Sequence, residues 1–209
     1  MRFALLALFL LLASCIPKGD APKPASRSQS SAGSDIQCVA DLRREEIGFR
    51  TLPDRTFSGG CSALGTVQLL EIGTPVTNLG PMTCPLARQF GRWVREAVQP
   101  AAGQWLKSRI VRIESFGTYS CRPVNGQAGA KLSEHGRSNA VDVAAFVLAD
   151  GRRVTVLQGW NGEDEKVRSF LRTIHRAGCK RFQTGLGPDA DAFHTNHFHF
   201  DMGRGPYCR

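Results

Sequence analysis

Six cysteines behind an export-type N-terminus constrain this chain more than any other feature. The sequence holds seven cysteines in all. Cys15 closes the N-terminal apolar run, and the others are Cys38, Cys61, Cys84, Cys121, Cys179 and Cys208. An even set in an exported chain implies a disulfide framework, because the receiving compartment is oxidising. No two of them form a CxxC pair, which argues against a thiolate metal knuckle. Proximity along the chain favours Cys38–Cys61, Cys84–Cys121 and Cys179–Cys208, each adding about 2–4 kcal/mol.

The N-terminus carries the address. Arg2 follows Met1 as a short positive segment, and Phe3 to Leu12 is an unbroken apolar run. A bilayer span needs about 20 apolar residues, so this run fits the apolar region of a secretory signal instead. It ends in Leu12-Ala13-Ser14-Cys15, with small residues directly before the cysteine. That pattern resembles a lipobox, cut before Cys15 and lipidated on its thiol. An ordinary cleaved signal with an incidental cysteine is the alternative. The expected mature protein is exported to the cell envelope and lipid-anchored through Cys15 on the periplasmic side of a membrane, with its folded part in water. Residues 16–35 are dominated by Pro, Lys, Ser, Gly and Ala, with no large aliphatic residue between Ile16 and Ile36. Such a stretch buries too little apolar surface to offset chain entropy and reads as a tether. The chain thus divides into a signal at 1–15, a linker at 16–35 and one folded domain at 36–209.

The formal net charge is +9, to which the signal contributes only Arg2. A basic surface favours anionic partners. Outside the cytoplasm the abundant polyanions are cell-wall polymers and anionic lipid headgroups, so nucleic acid is not the expected partner. A basic surface that serves solubility alone is the competing reading. A monomer is expected.

Hydrophobic spacing predicts the coarse fold. From Cys84 to about Leu106, the residues Leu86, Phe90, Trp93, Val94 and Ala97 recur at helical intervals. Pro85 suits the first turn and Thr83 is placed to cap it. Ile110 to Phe116 alternates as a strand does. Ala140 to Leu148 and Val154 to Leu157 flank Asp150-Gly151, a strong hairpin signal. Glu163 to Ala177 reads as a second helix with Val167, Phe170, Leu171 and Ile174 inward, ended by Gly178. Phe193 to Asp201 returns to a strand. Strands and helices mix without regular βα alternation. The expected fold class is α+β, an antiparallel sheet with flanking helices, stabilised by disulfides.

The five histidines are unevenly placed. His194, His197 and His199 share one short stretch, and His135 lies shortly before Asp142. Alternate side chains on a strand share a face. His197, His199 and Asp201 would then project to one side, and Phe198, Phe200 and Met202 into a core. Two imidazoles spaced this way stand about 7 Å apart at the backbone, close enough to share one small site. Val141, Val143 and Phe146 read as core positions. Asp142 falls on the opposite face beside Ala140 and Ala144, where small neighbours leave room for a metal and a substrate. His135, in the preceding loop, can fold back over it. Two imidazole nitrogens and a carboxylate suit Zn²⁺ with one open position, the pattern of a catalytic centre. Spacing alone leaves His197 and His199 equal as ligands. Amide hydrolysis also needs a base for water and a proton donor for the leaving amine, roles open to His194 and His197. His175, on the second helix, is expected at the surface.

Ser133-Glu134-His135, then Asp142, then His197-Phe198-His199 resembles the Ser-x-His, Asp and His-x-His order of the lysostaphin, D-Ala-D-Ala metallopeptidase and hedgehog group. The chain is also similar to the bacterial extensin-like C-terminal domain family over most of residues 38–208. That similarity includes Ser120-Cys121-Arg122, Leu132-Ser133-Glu134-His135 and His194-x-x-His197-x-His199. The resemblance implies a hedgehog- or D-Ala-D-Ala-peptidase-like fold. It implies His135, Asp142 and His199 as zinc ligands and His197 as a catalytic residue beside the metal. The His-x-x-His-x-His form, with His194, resembles a penicillin-insensitive murein endopeptidase. Relatives use an arginine ahead of Ser-x-His to contact substrate, which points to Arg122. They also carry a glutamate base near His-x-His, and this chain shows none there. Ser138 stands where relatives have glycine, a loop position that implies unusual backbone angles.

The expected function is therefore zinc-dependent hydrolysis of peptidoglycan stem peptides, of D,D-carboxypeptidase or endopeptidase type. A non-catalytic, zinc-containing wall-binding or scaffolding lipoprotein is the alternative, since one fold serves several functions. A zinc hydrolase acting on another amide or a phosphodiester stands third.

Overall fold

The computed structural model describes residues 29–209. The expected signal, Cys15 and residues 16–28 of the expected linker lie outside the described residues. Helix α1 (Gln29–Arg44) opens the structure, so the last part of the expected linker is helical. Short strands follow: β1 (Gly48–Thr51), β2 (Arg55–Thr56), β3 (Ser62–Ala63), β4 (Thr66–Glu71), β5 (Val76–Thr77) and β6 (Met82–Thr83). Helix α2 (Cys84–Trp93) runs on through π-turns at Val94–Val98 and Ala102–Leu106, which flank α3 (Gln99–Ala101). Then come β7 (Ile110–Gly117), β8 (Ala140–Leu148), β9 (Arg153–Thr155), α4 (Val156–Gly159) and α5 (Glu165–Cys179). Strands β10 (Thr184–Leu186), β11 (Phe198–Asp201) and β12 (Tyr207–Cys208) complete the chain.

The central sheet has the order β12-β10-β11-β8-β7-β5, with β9 added on β8. Its inner pairs are antiparallel, and the edge strands β12 and β5 join in parallel. A smaller antiparallel sheet combines β1, β4 and β6. The architecture is α+β with flanking helices, as the sequence predicts. No helix among the described residues is long and apolar enough to cross a membrane.

The core lies between the central sheet and the α2 and α5 helices. Trp93 stands edge-on to Phe200 at 5.2 Å, and Phe146 is edge-on to Phe170 at 5.3 Å. All four are fully buried, each contributing about 1.5–3 kcal/mol by burial. The Trp93 indole N–H donates to the Ile174 carbonyl at 2.8 Å, which satisfies its one polar atom. On β11, Phe198 and Phe200 enter this core, which turns His199 and Asp201 to the other face.

Strict alternation along β8 would place Phe146 on the Asp142 face. The register removes the conflict. Glu114 pairs with Ala145 and Ser115 with Val143, so Ala144 is an extra residue on β8. This bulge returns Phe146 and Leu148 to the core after Val141 and Val143. A second bulge leaves Phe116 unpaired on β7, between Ser115 opposite Val143 and Gly117 opposite Asp142.

Local differences from the sequence expectations have identifiable causes. Thr83 does not cap α2; its hydroxyl donates to Asn139 Oδ1 at 2.7 Å instead. The second hairpin strand stops at Thr155, whose side chain caps α4. Asp164 accepts from the Lys166 and Val167 amides and so starts α5 at Glu165. Residues 193–197 form turns, and the strand begins at Phe198.

Of the expected disulfides, Cys179–Cys208 is present, while the other two pair as Cys38–Cys84 and Cys61–Cys121. Proximity along the chain fails because α1 lies against α2, where Arg88 reaches Asp41 at 2.9 Å and Glu45 at 2.6 Å. That packing carries Cys38 past Cys61 to Cys84. Cys61 is left beside the loop that holds Cys121.

His175 also departs from expectation. It is only 4% exposed, with its ring packed on Trp160, Phe198 and Phe200. The apolar stripe of α5 is one residue wider than the aliphatic spacing suggested. Burial pushes the His175 imidazole down to about 4. Its unfolded value is about 6.5. The folded state therefore resists protonation, and stability present above about 6.5 is lost as pH falls toward 4. We expect His175→Phe to remove about 2–3 kcal/mol of the stability lost between pH 7 and about pH 4.5, as measured by urea unfolding. A wild-type slope retained in that variant would place the titration elsewhere.

Candidate metal centre

Three separate elements position the ligand candidates. Ser133 Oγ accepts from the His135 amide at 3.3 Å and starts a 3₁₀ turn, Glu134–Arg137. Ser138 ends that turn in the left-handed region at φ 55°. Glycine adopts that backbone at little cost. Here the serine is held in it by full burial and by its hydroxyl donating to the Ser62 carbonyl at 3.4 Å. Asp142 on β8 and His199 on β11 are direct cross-strand partners.

His135, Asp142 and His199 are all buried and converge. His135 Nε2 lies 3.1 Å from His199 Nδ1 and 3.1 Å from Asp142 Oδ2. His199 Nδ1 lies 2.9 Å from Asp142 Oδ1. Ligands about 2.0–2.2 Å from a tetrahedral zinc stand about 3.3–3.5 Å from one another. The triangle is thus slightly tighter than one face of such a site.

The outer ring nitrogens decide what the inner ones present. His135 Nδ1 faces the Thr118 carbonyl at 3.3 Å. A carbonyl only accepts, so Nδ1 carries the hydrogen and Nε2 turns a lone pair inward. His199 Nε2 donates to Asp201 Oδ2 at 3.0 Å, which leaves its Nδ1 lone pair facing inward too. Two such lone pairs beside a carboxylate repel one another unless a positive charge lies among them. A proton on His199 Nδ1, donated to Asp142, is one such charge, and a metal ion is another. Burial opposes charge on His199, but its hydrogen bonds to Asp142 and Asp201 prevail and raise it to about 9. Burial likewise opposes charge on Asp142, yet His135 and His199 hold its carboxyl well below the usual carboxylate range. The donor set and its electrostatics fit a bound cation.

Asp201 orients His199 in the manner of a carboxylate behind a metal-binding histidine. Its other oxygen accepts from the Gly203 amide at 2.8 Å. Asp201→Asn is expected to weaken metal binding at this site by about 10–100-fold while the fold persists. Competition against a chelator measures this, and an unchanged affinity would remove Asp201 from the account.

His197 and His194 flank the triangle. His197 Nε2 is 3.6 Å from Asp142 Oδ1, and its Nδ1 donates to Asn196 Oδ1 at 2.8 Å. Burial lowers His197 to about 4, with the nearby imidazoles assisting and Asp142 opposing. It is neutral near pH 7, with the Nε2 lone pair turned toward the site. His194 Nδ1 donates to Asp191 Oδ1 at 2.7 Å, and its ring lies 5.1 Å from that of His197. Asp191 also accepts from the Phe193 amide at 2.8 Å, which shapes the turn that carries His194.

All of these histidines, with Asp142 and Asp201, open onto a cleft of about 1040 Å³. Arg122, Lys131 and Arg204 also line it. The structure thus brings together every site residue expected from the sequence. Cys61–Cys121 tethers the segment on which Arg122 sits. Glu134 is a cleft carboxylate that spacing did not single out; Asn139 Nδ2 donates to it at 2.6 Å. Thr118 acts through its backbone carbonyl and leaves no side-chain signature. A second grouping, His175 with Cys179 and Cys208, offers no thiolates because the two cysteines are joined.

No curated protein and no solved structure matches the chain. A family model described as extensin-like protein C-terminus matches residues 36–209. The match takes in the central sheet, the three disulfides and the whole candidate centre, and the chain belongs to the extensin-like protein C-terminus family.

Proposed function

We propose that this chain is a zinc metallopeptidase that hydrolyses amide bonds in the peptide stems of peptidoglycan, working in the cell envelope from a lipid anchor on Cys15. One observation carries the reading. Two imidazole lone pairs and a carboxylate meet at 2.9–3.1 Å on the floor of an open cleft. Such a donor set suits zinc with one position left over, as catalytic centres require. The order of His135, Asp142 and His199 supports a relation to the lysostaphin, D-Ala-D-Ala metallopeptidase and hedgehog group.

Zinc supplies Lewis acidity, which polarises a carbonyl oxygen and acidifies a water molecule. The protein's own groups do the rest. Asn196 fixes the His197 tautomer, so Nε2 takes the proton from attacking water. Asp191 holds His194 through Nδ1, so its Nε2 accepts the proton that His197 took from water and passes it to the leaving amine. Arg122, Lys131 and Arg204 place positive charge on the cleft walls, where carboxylates of a stem peptide dock.

The test combines metal analysis of the purified protein with incubation on isolated peptidoglycan. Zinc-dependent release of soluble fragments, stopped by a chelator, is expected. Bound zinc without fragment release would favour a wall-binding lipoprotein instead. Incorporation of labelled palmitate that is lost in Cys15→Ser tests the anchor.

A further inference from the structure

Two more cavities continue the main cleft past the candidate centre. One, of about 350 Å³, shares Arg122, His135, Asp142 and His197 with it and adds Phe116 and Asn196. The next, of about 610 Å³, shares Phe116 and Asn196 with that one and reaches Ala144 and Leu157. Through these shared residues the cavities adjoin, with the ligand triangle between the cleft of Arg122, Lys131 and Arg204 and an end that presents the apolar side chains of Phe116, Ala144 and Leu157.

The two bulges shape the apolar end. Phe116 is the residue bulged out of β7, 55% exposed, with its ring edge-on to His197 at 5.7 Å. Ala144 is the extra residue of β8, and its small side chain leaves the floor open. Leu157 on α4 is 60% exposed, although it is a large aliphatic residue. Bulges beside active sites commonly re-aim side chains. On these walls Glu114 pairs with both Arg153 at 2.6 Å and Arg112 at 3.4 Å.

We infer that the Phe116–Ala144–Leu157 trough is a second substrate subsite, which binds peptide on the far side of the scissile bond from the cationic cleft. The preferred substrate is then an internal amide bond with chain on both sides, as in cross-linked stem peptides, and not a free stem terminus. The inference rests on the peptidase reading above. Ala144 is two residues along β8 from Asp142, about 7 Å away. An extended peptide advances about 3.3–3.6 Å per residue, so the second residue beyond the bond reaches this subsite. Its aliphatic portion would cover Phe116 and Leu157. Removal of a single terminal residue would leave the trough unfilled.

The test uses the full, zinc-loaded protein on two purified substrates, a cross-linked muropeptide dimer and an uncross-linked muropeptide pentapeptide. The wild type is expected to show a kcat/KM at least about tenfold higher on the dimer, the scale of burying one aliphatic side chain. Leu157→Ser, at an exposed position, is expected to raise KM for the dimer about tenfold while kcat holds. Ala144→Leu, which fills the floor, should act in the same direction. Equal kcat/KM on both substrates, or a dimer KM untouched by Leu157→Ser, would overturn the subsite and leave the peptidase reading standing. Cleavage of neither substrate would overturn both.

Discussion

His199→Ala is expected to leave the protein without tightly bound metal. The wild type should carry close to one zinc per chain, and the variant should bind it more than about 100-fold more weakly. That exceeds what the loss of an orienting partner costs, because a ligand itself is gone. The geometry gives the reason. His199 Nδ1 is one corner of the triangle, 2.9 Å from Asp142 and 3.1 Å from His135. The same ring neutralises Asp201 through Nε2. Alanine leaves two buried carboxylates, Asp142 and Asp201, without a shared cationic partner. A buried charge left in that way costs about 3–5 kcal/mol, so thermal stability should fall as well. Elemental analysis and a chelator competition read the first effect, and a melting curve reads the second. Full zinc retention in the variant would mean that other residues hold the metal.

His197→Ala is expected to separate the two properties that His199→Ala removes together. His197 Nε2 stands 3.6 Å from Asp142, outside the 2.9–3.1 Å triangle. Zinc stoichiometry should therefore stay near that of the wild type. Turnover on peptidoglycan should drop by about 10²–10⁴-fold, the usual contribution of a positioned acid or base. Initial rates of fragment release at matched zinc occupancy give the comparison. A rate equal to wild type would move the base to another cleft group, Glu134 being the carboxylate at hand.

The convergence of the histidines is legible in the sequence because histidine is rare here and strand alternation is a short-range rule. His199 and Asp201 face away from Phe198 and Phe200 as period two requires. The cross-strand pairing of Asp142 with His199 was not legible, because register is a long-range property of β8 against β11. The bulge at Ala144 was hidden for the same reason, although Val141, Val143 and Phe146 read correctly as core. Helix α1 carries little sequence signal, since only sparse apolar positions, such as Leu42, mark its buried side. Without that helix, proximity along the chain points Cys38 and Cys84 to the wrong partners. The burial of His175 is hidden from the sequence because an imidazole packs in an aromatic core as readily as it hydrates, and helical spacing of aliphatic residues does not count it. The Thr118 carbonyl behind His135 has no sequence signal at all.

Anomalous diffraction at the zinc edge, from crystals of the zinc-loaded protein, tests the central claim most directly. The account predicts one peak inside the triangle, with His135 Nε2, His199 Nδ1 and an Asp142 oxygen each about 2.0–2.2 Å from it. A peak at any other set of side chains, or none within that triangle, would contradict it.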